Sequence, residues 1–298
     1  MRKSNSRDVR ILFSGLFAAV MTINCLPSVW AVTPAELEAA GAKVRLNPAG
    51  AVLVIDARQA EGFSGEILSD LPALKDLKIN GSQVTDQTLP NLASFTALTS
   101  LALDKTGITD ATLMKIAALP VLSQLFLAET NISDAGTAQL KLDRFIRLRF
   151  AGTKITDETL KRLAVSQKLQ SLDVSNTSVS SFGAQALRAI PTLEDLNFYS
   201  TNLDDAACGA FSQMPQLKKL NLDKTKVTDC GVARIANLPA LEFLHLGRTC
   251  VTDECVPDLL KMKSLKKLHV TRTQITPEGA ARLTAGLPQC EVIFEVEE

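Results

Sequence analysis

Ten residues recur almost unchanged 119 positions apart: LALDKTGITD at 101–110 and LNLDKTKVTD at 220–229 agree at seven positions. Both belong to a longer series. Thr106, Thr130, Thr153, Thr177, Thr201, Thr225, Thr249 and Thr273 occupy one slot at 24-residue intervals, shortened to 23 between Thr130 and Thr153, with Ser82 in the same slot upstream. Nine units begin at Leu74, Leu98, Leu122, Phe145, Leu169, Leu193, Leu217, Leu241 and Leu265. A unit this short cannot bury its own apolar face, so the copies must stack and share one continuous core.

Each unit reads LxxLxLxxT, then xITD, then a short helical pattern. In Leu220-Asn221-Leu222 the period of two turns both leucines inward and Asn221 outward, as a strand requires. Val227 turns inward again. Thr228 and Asp229 are candidates for the N-cap of a helix over 231–238, whose buried face carries Val232, Ile235 and Leu238. Pro239 stops that helix just before the next strand, and Pro72, Pro120, Pro191 and Pro215 do the same elsewhere. This pattern resembles the leucine-rich repeat family, whose LxxLxLxxN/C consensus is met here with Thr or Ser in the Asn/Cys slot. The repeat length and the ITD-plus-helix half are most similar to the cysteine-containing and ribonuclease-inhibitor-like subtypes, as in bacterial secreted leucine-rich-repeat proteins. The resemblance covers about residues 50–296. It implies an α/β solenoid, a curved horseshoe with a parallel sheet on the concave face and short helices on the convex face. The threonine hydroxyls would serve the turn as the family's Asn does; with fewer hydrogen-bonding groups, they predict a less complete ladder.

The ends read differently. Residues 32–73 form an N-terminal cap region, with a strand around Val52, Val54 and Asp56. Nine repeats fill 74–288, and 289–298 supply a last strand and an acidic tail. One repeat is irregular: LKLDRFIRLRFAGT at 140–153 lacks the Leu-Pro junction and is one residue short. It reads either as a deletion tolerated in a return loop or as a kink that gathers Arg144, Arg147 and Arg149 into a basic patch.

Residues 1–31 carry Arg2, Lys3, Arg7 and Arg10, then an apolar run, then small residues at Val29 and Ala31: a secretory signal peptide. The run is too short to span a bilayer. Export is the expectation, to the periplasm, the cell surface or the medium, with no stable membrane span after cleavage. Of 32 basic and 32 acidic residues in the chain, 28 and 31 lie beyond residue 31, so net charge suggests no nucleic-acid partner. Cys208, Cys230, Cys250, Cys255 and Cys290 remain, at spacings that fit no zinc module. Cys230 and Cys255 lie in neighbouring repeats, where a disulfide is conceivable beside the alternative of buried free thiols.

No catalytic signature occurs in the sequence, neither GxSxG, HExxH, Walker loop nor GxGxxG. No enzyme, cofactor or metal is expected, and the recurring Asp of the TD signature reads as capping. His245 and His269 share an outward slot of adjacent repeats. They could form part of a metal site with Asp223 or Glu242, but the simpler reading is an exposed polar ladder, because no third ligand with an oriented outer shell is evident. The outward face of the strands is the candidate binding surface, through Phe126, Arg147, Arg149, Tyr199, Phe243, His245, Arg248, His269 and Arg272. Aromatic and arginine side chains are the usual anchors of protein interfaces. The sequence therefore predicts an exported, non-enzymatic scaffold for a protein or extended ligand, with a polysaccharide as a further possibility. The alternatives are a self-associating envelope component and an effector-type substrate receptor of a ubiquitin ligase.

Overall fold

A computed structural model describes residues 32–89 and 92–294; the expected signal peptide and the end of the acidic tail lie outside these residues. Among them a twelve-stranded sheet runs in strict chain order. Its first two strands, Lys43–Leu46 and Val52–Asp56, form an antiparallel hairpin; every later pairing is parallel, one repeat to the next.

Register explains the core. Leu77, Leu101, Leu125, Leu148, Leu172, Leu196, Leu220, Leu244 and Leu268 lie opposite one another along the sheet, and all are buried. The next inward position adds Leu103, Leu127, Phe150, Val174, Phe198, Leu222, Leu246 and Val270, also buried. Removing one such leucine costs about 2–5 kcal/mol, and its neighbours in both adjacent repeats lose contacts with it. Strands sit about 4.8 Å apart, whereas a helix with its side chains is about 10 Å wide. One helix per strand therefore splays the helical side and leaves the sheet concave. Short helices limit the splay: Asp134–Thr137 and Ser181–Ala184 have four residues each, and a 3₁₀ turn covers Asp253–Cys255.

The recurring threonines close the turns. Thr106, Thr130, Thr153, Thr177, Thr201, Thr225, Thr249 and Thr273 each donate a hydroxyl hydrogen bond to the carbonyl three residues back, at 2.5–2.8 Å. The side chain of Ser82 is not among the described groups. Just before each of these threonines the chain enters the left-handed region, at Lys105, Glu129, Gly152, Asn176, Ser200, Lys224, Arg248 and Arg272. Only Gly152 has the residue type that adopts this geometry without cost. Its amide, like those of the others up to Arg248, bonds across to the next repeat.

Thr and Asp of the TD signature divide their labour differently from the sequence expectation. Thr228 alone caps the helix Asp229–Ile235, its hydroxyl accepting from Cys230 N–H. The Asp reaches forward instead. Asp205 accepts from both the amide and the hydroxyl of Thr228, at 2.8 and 2.7 Å, so it clasps the cap of the following repeat. Asp86, Asp110, Asp134, Asp157, Asp229 and Asp253 make the same pair of bonds to Thr109, Ser133, Thr156, Ser180, Thr252 and Thr276. At one junction the partners are exchanged: Ser181 donates to the carboxylate of Asp204, which is itself the cap residue.

The residue three beyond the cap must accept the incoming carboxylate. Thr112 and Thr159 donate to it. Gly136, Gly183, Gly231 and Gly279 make room, since a Cβ at any of them would lie 2.0–2.4 Å from the Asp oxygen. Cys255 fills the slot opposite Asp229, and burial first, then that carboxylate, pushes its thiol pKa upward.

The irregular repeat follows the first of its two readings, a deletion absorbed outside the strands. The sheet keeps register through it, with Leu125, Leu148 and Leu172 paired in line, so there is no kink in the ladder. Arg144 does not join Arg147 and Arg149. Its guanidinium turns to the carbonyls of Leu119 and Ile116, at 2.5 and 3.2 Å, and closes the end of the helix Asp110–Ala117. At the N-terminal end, the single expected strand is a hairpin preceded by the helix Pro34–Ala39, held by a capping box between Thr33 and Glu36.

Gly231→Ala should lower unfolding free energy by about 1–3 kcal/mol, because the new methyl displaces Asp205 from its clasp. Cys230→Ala, one residue away and exposed, should change it by less than about 0.5 kcal/mol. Urea denaturation of both variants checks the difference.

Candidate functional site on the concave sheet

The concave surface is built from three rows. Gln124, Arg147, Ser171, Asp195, Lys219, Phe243 and Lys267 form the row at the strand starts. Phe126, Arg149, Asp173, Asn197, Asn221, His245 and His269 form the row at the strand ends. A third row, two residues further on, holds Asp104, Tyr199 and Asp223.

Most charges on this face are spent on one another. Arg149 bridges Asp173 and Asp104 at 3.2 and 3.4 Å. Lys218 meets Glu194 at 2.8 Å, Lys266 meets Glu242 at 2.9 Å and Lys267 meets Glu291 at 3.1 Å. Arg147 is exposed and makes no ion pair among the described residues. With Phe126 it borders a recess of about 360 Å³ whose other walls include Ser171, Asp195 and Lys219. Burial raises the pKa of Asp195, against the pull of Lys219.

The second concentration of side chains lies toward the C-terminal end. Asp223 is 4% exposed, a depth unusual for a carboxylate. Arg248 holds it with two parallel bonds, Nε to Oδ1 at 2.9 Å and Nη2 to Oδ2. The same guanidinium lies over the Tyr199 ring, 5.3 Å from its centroid. His245 Nε2 is 4.0 Å from Asp223. His245 and His269 stack nearly parallel, centroids 4.3 Å apart, and Phe243 lies 5.6 Å from His269. Thus Tyr199, Phe243, His245, Arg248 and His269 come together, whereas Phe126, Arg147 and Arg149 lie four to five strands from Phe243 and two to three from the strand before Tyr199. Arg272 occupies the slot of Arg248 one repeat on and is exposed.

The histidine slot has a structural logic that the sequence carried without showing its purpose. Asp173, Asn197 and Asn221 each accept the backbone N–H two residues ahead through a side-chain oxygen, ending the strand. His245 does this with Nδ1, accepting from Gly247 N–H at 3.1 Å. That bond places the proton of the neutral ring on Nε2. No cluster of three or more metal-ligating side chains occurs among the described residues. Cys208, Cys255 and Cys290 are buried, Cys230 and Cys250 are exposed, and all five are free thiols.

Burial lowers the His245 pKa to about 4, despite the opposing pull of Asp223, and burial also lowers that of His269. The unfolded chain would bind these protons near pH 6.5. Between there and about pH 4 it therefore holds more protons than the fold, and stability falls as pH falls. Asp86 and Asp134 add to the loss further down: burial raises their pKa values, but the combined bonds from Thr109 and Thr112, and from Thr156 and Thr159, bring them below the ordinary value. His245→Asn keeps the acceptor that Asn197 and Asn221 supply. It should flatten the decline of the thermal midpoint between about pH 6.5 and pH 4 and leave the decline below pH 4, as read by circular dichroism across the pH series.

Family models described as leucine rich repeat match residues 167–227 and 261–283. No curated protein matches the chain. Among solved structures, an internalin from Listeria monocytogenes superposes with a TM-score of 0.61 at 21% identity, covering 78% of this chain and 64% of its own. The Arabidopsis receptor kinase HAESA, in complex with the peptide hormone IDA and the co-receptor SERK1, gives 0.56 at 18% identity over 78% of this chain and 40% of its own. Internalin C2 from Listeria monocytogenes gives 0.53 at 18% identity, over 68% and 83%. The chain thus spans less than two thirds of the first two of these proteins, and at such identities the likeness speaks to fold. Nothing in it singles out the cysteine-containing subtype. The register of the sheet, the turn ladder and the matching family models agree: this chain is a leucine-rich-repeat protein.

Proposed function

We propose that the chain is an exported, non-enzymatic scaffold that binds a protein partner on its concave face. The observation that carries this reading is what the fold leaves over there. Most charges in its three rows are paired, as at Arg149, Asp223 and Lys267, while Phe126 and Phe243 on the strands and Tyr199 just past one stand partly exposed at positions that the core does not use. Large, stiff aromatic groups and arginine gain most from being covered by a partner. HAESA, similar in fold, is seen with a peptide hormone and a co-receptor, which favours a polypeptide over a polysaccharide. Export rests on the signal-like residues 1–31; no described helix is long and apolar enough to cross a membrane.

The test is a crosslinking capture read by mass spectrometry, comparing the native chain with Phe126→Ala, Phe243→Ala. Both side chains are only half-buried, so the variant should keep its circular dichroism spectrum. A partner captured by the native chain and reduced about tenfold or more by the variant is the expected result. An unchanged set of captured proteins, or capture of the chain itself alone, would remove the concave-face reading.

A further inference from the structure

The left-handed position before each turn threonine forms a row along one rim of the sheet, and its charge is unevenly distributed. In the early repeats Lys105 and Glu129 face each other at 3.7 Å and cancel. Gly152, Asn176 and Ser200 follow without charge. The last three places are Lys224, Arg248 and Arg272, all cationic and all exposed. Their backbones are joined repeat to repeat, Lys224 N–H to Gly247 O at 2.8 Å and Arg248 N–H to Thr271 O at 3.0 Å, so the three positions follow one another at about one strand spacing.

Neither Lys224 nor Arg272 makes an ion pair among the described residues. Each also occupies a backbone conformation that glycine or asparagine would adopt at lower cost. The fold thus gains nothing visible from a long cation at these two positions. Arg248 shows where such a side chain can reach: back over the sheet to Asp223 and the Tyr199 ring. His245, which shares Asp223 with that guanidinium, stacks on His269, and Phe243 lies 5.6 Å from His269, so these rings form an aromatic platform.

Resting on the concave-face reading, we infer that the C-terminal end of the concave face, where Phe243, His269 and Tyr199 adjoin Lys224, Arg248 and Arg272, docks an acidic polypeptide segment that carries an aromatic residue. The partner's ring lies on the Phe243–His269 platform. Its carboxylates meet Arg272 and Lys224, the two rim cations that make no ion pair among the described residues. Arg248, fixed by Asp223, holds the boundary between platform and rim. A basic segment is disfavoured by repulsion along the rim, and a purely apolar one leaves two cations desolvated without partners.

Fluorescence anisotropy with the full chain tests this, using labelled random copolymers of Glu and Tyr and of Lys and Tyr, and labelled polygalacturonate. The Glu–Tyr copolymer should bind about tenfold or more tighter than Lys–Tyr and weaken steeply with added salt. Lys224→Glu, Arg272→Glu should weaken it about tenfold, whereas Lys105→Glu, at the same kind of position in the early repeats, should stay within about twofold. Should the double charge reversal unfold, Lys224→Gln, Arg272→Gln is used, with a smaller loss of the same sign expected. Equal loss in Lys105→Glu would overturn the inference, since the attraction would then be diffuse. Polygalacturonate binding tighter than Glu–Tyr with the same rim dependence would overturn it in favour of a glycan. If the rim variants change nothing while Phe126→Ala, Phe243→Ala abolishes binding of both copolymers, the acidic preference fails and the concave-face reading stands. If neither set of variants changes binding, both fail.

Discussion

The carboxylate of Asp205 bypasses its own helix to take two hydrogen bonds from Thr228 in the following repeat, and six further aspartates repeat that reach. Charge-assisted bonds of this kind are short and directional. Each one fixes the height and rotation of the next unit before its leucines are packed. Once successive repeats are held in step, the inward residues fall into columns, the turn threonines reach their carbonyls, and the left-handed amides meet the carbonyls across the gap. A helix cap confined to its own repeat would stabilise the helix but would not set this registration.

Because stability is lodged in the inward columns and in the clasps, the outward positions of the sheet are free of that duty. Their composition differs accordingly from one repeat to the next. The strand-end row passes from Asp173 through Asn197 and Asn221 to His245, all of which supply the same acceptor to the turn. The acceptor role tolerates the change from amide to imidazole, while the surface presented to solvent becomes more aromatic. Partial burial holds both histidine pKa values down, so at neutral pH the C-terminal part of the face combines neutral rings with rim cations, unlike the mutually paired charges beside Arg149.

Much of this was legible in the spacing of Leu and Thr. Two periodicities, two within the strand and 24 between repeats, specify the strand faces, the stacking order and the inward residues, and Leu220 and Leu222 are both buried as the alternation requires. What spacing could not reveal were interactions between side chains of different repeats. The Asp of the signature looks like a cap from one repeat alone, since its partner lies 23 residues on. A sequence signal for the clasp did exist: Gly, Thr or Cys stands three beyond the cap wherever an Asp arrives, and Ala207 where Ser181 does. Arg144 was misplaced for a similar reason. Its closeness in sequence to Arg147 suggested one patch, but its guanidinium is taken up by the carbonyls of Leu119 and Ile116 at a helix end. The hairpin at Lys43–Leu46 had no repeat to announce it.

The exchanged pair Ser181 and Asp204 bears on how such a chain can grow or shrink by whole units. Solenoids change length by duplicating or losing repeats, and here each junction carries a lock and a matching key on different units. Excising residues 180–203 would bring the carboxylate of Asp157 against that of Asp204, two like charges in a place built for one. Shifting the cut to 181–204 would restore the Ser180 partner but set Ala207 where Gly183 leaves room for Asp157. The order of repeats around this junction is therefore written into the chain, and units from elsewhere in the array cannot be substituted there without re-matching three residues at once.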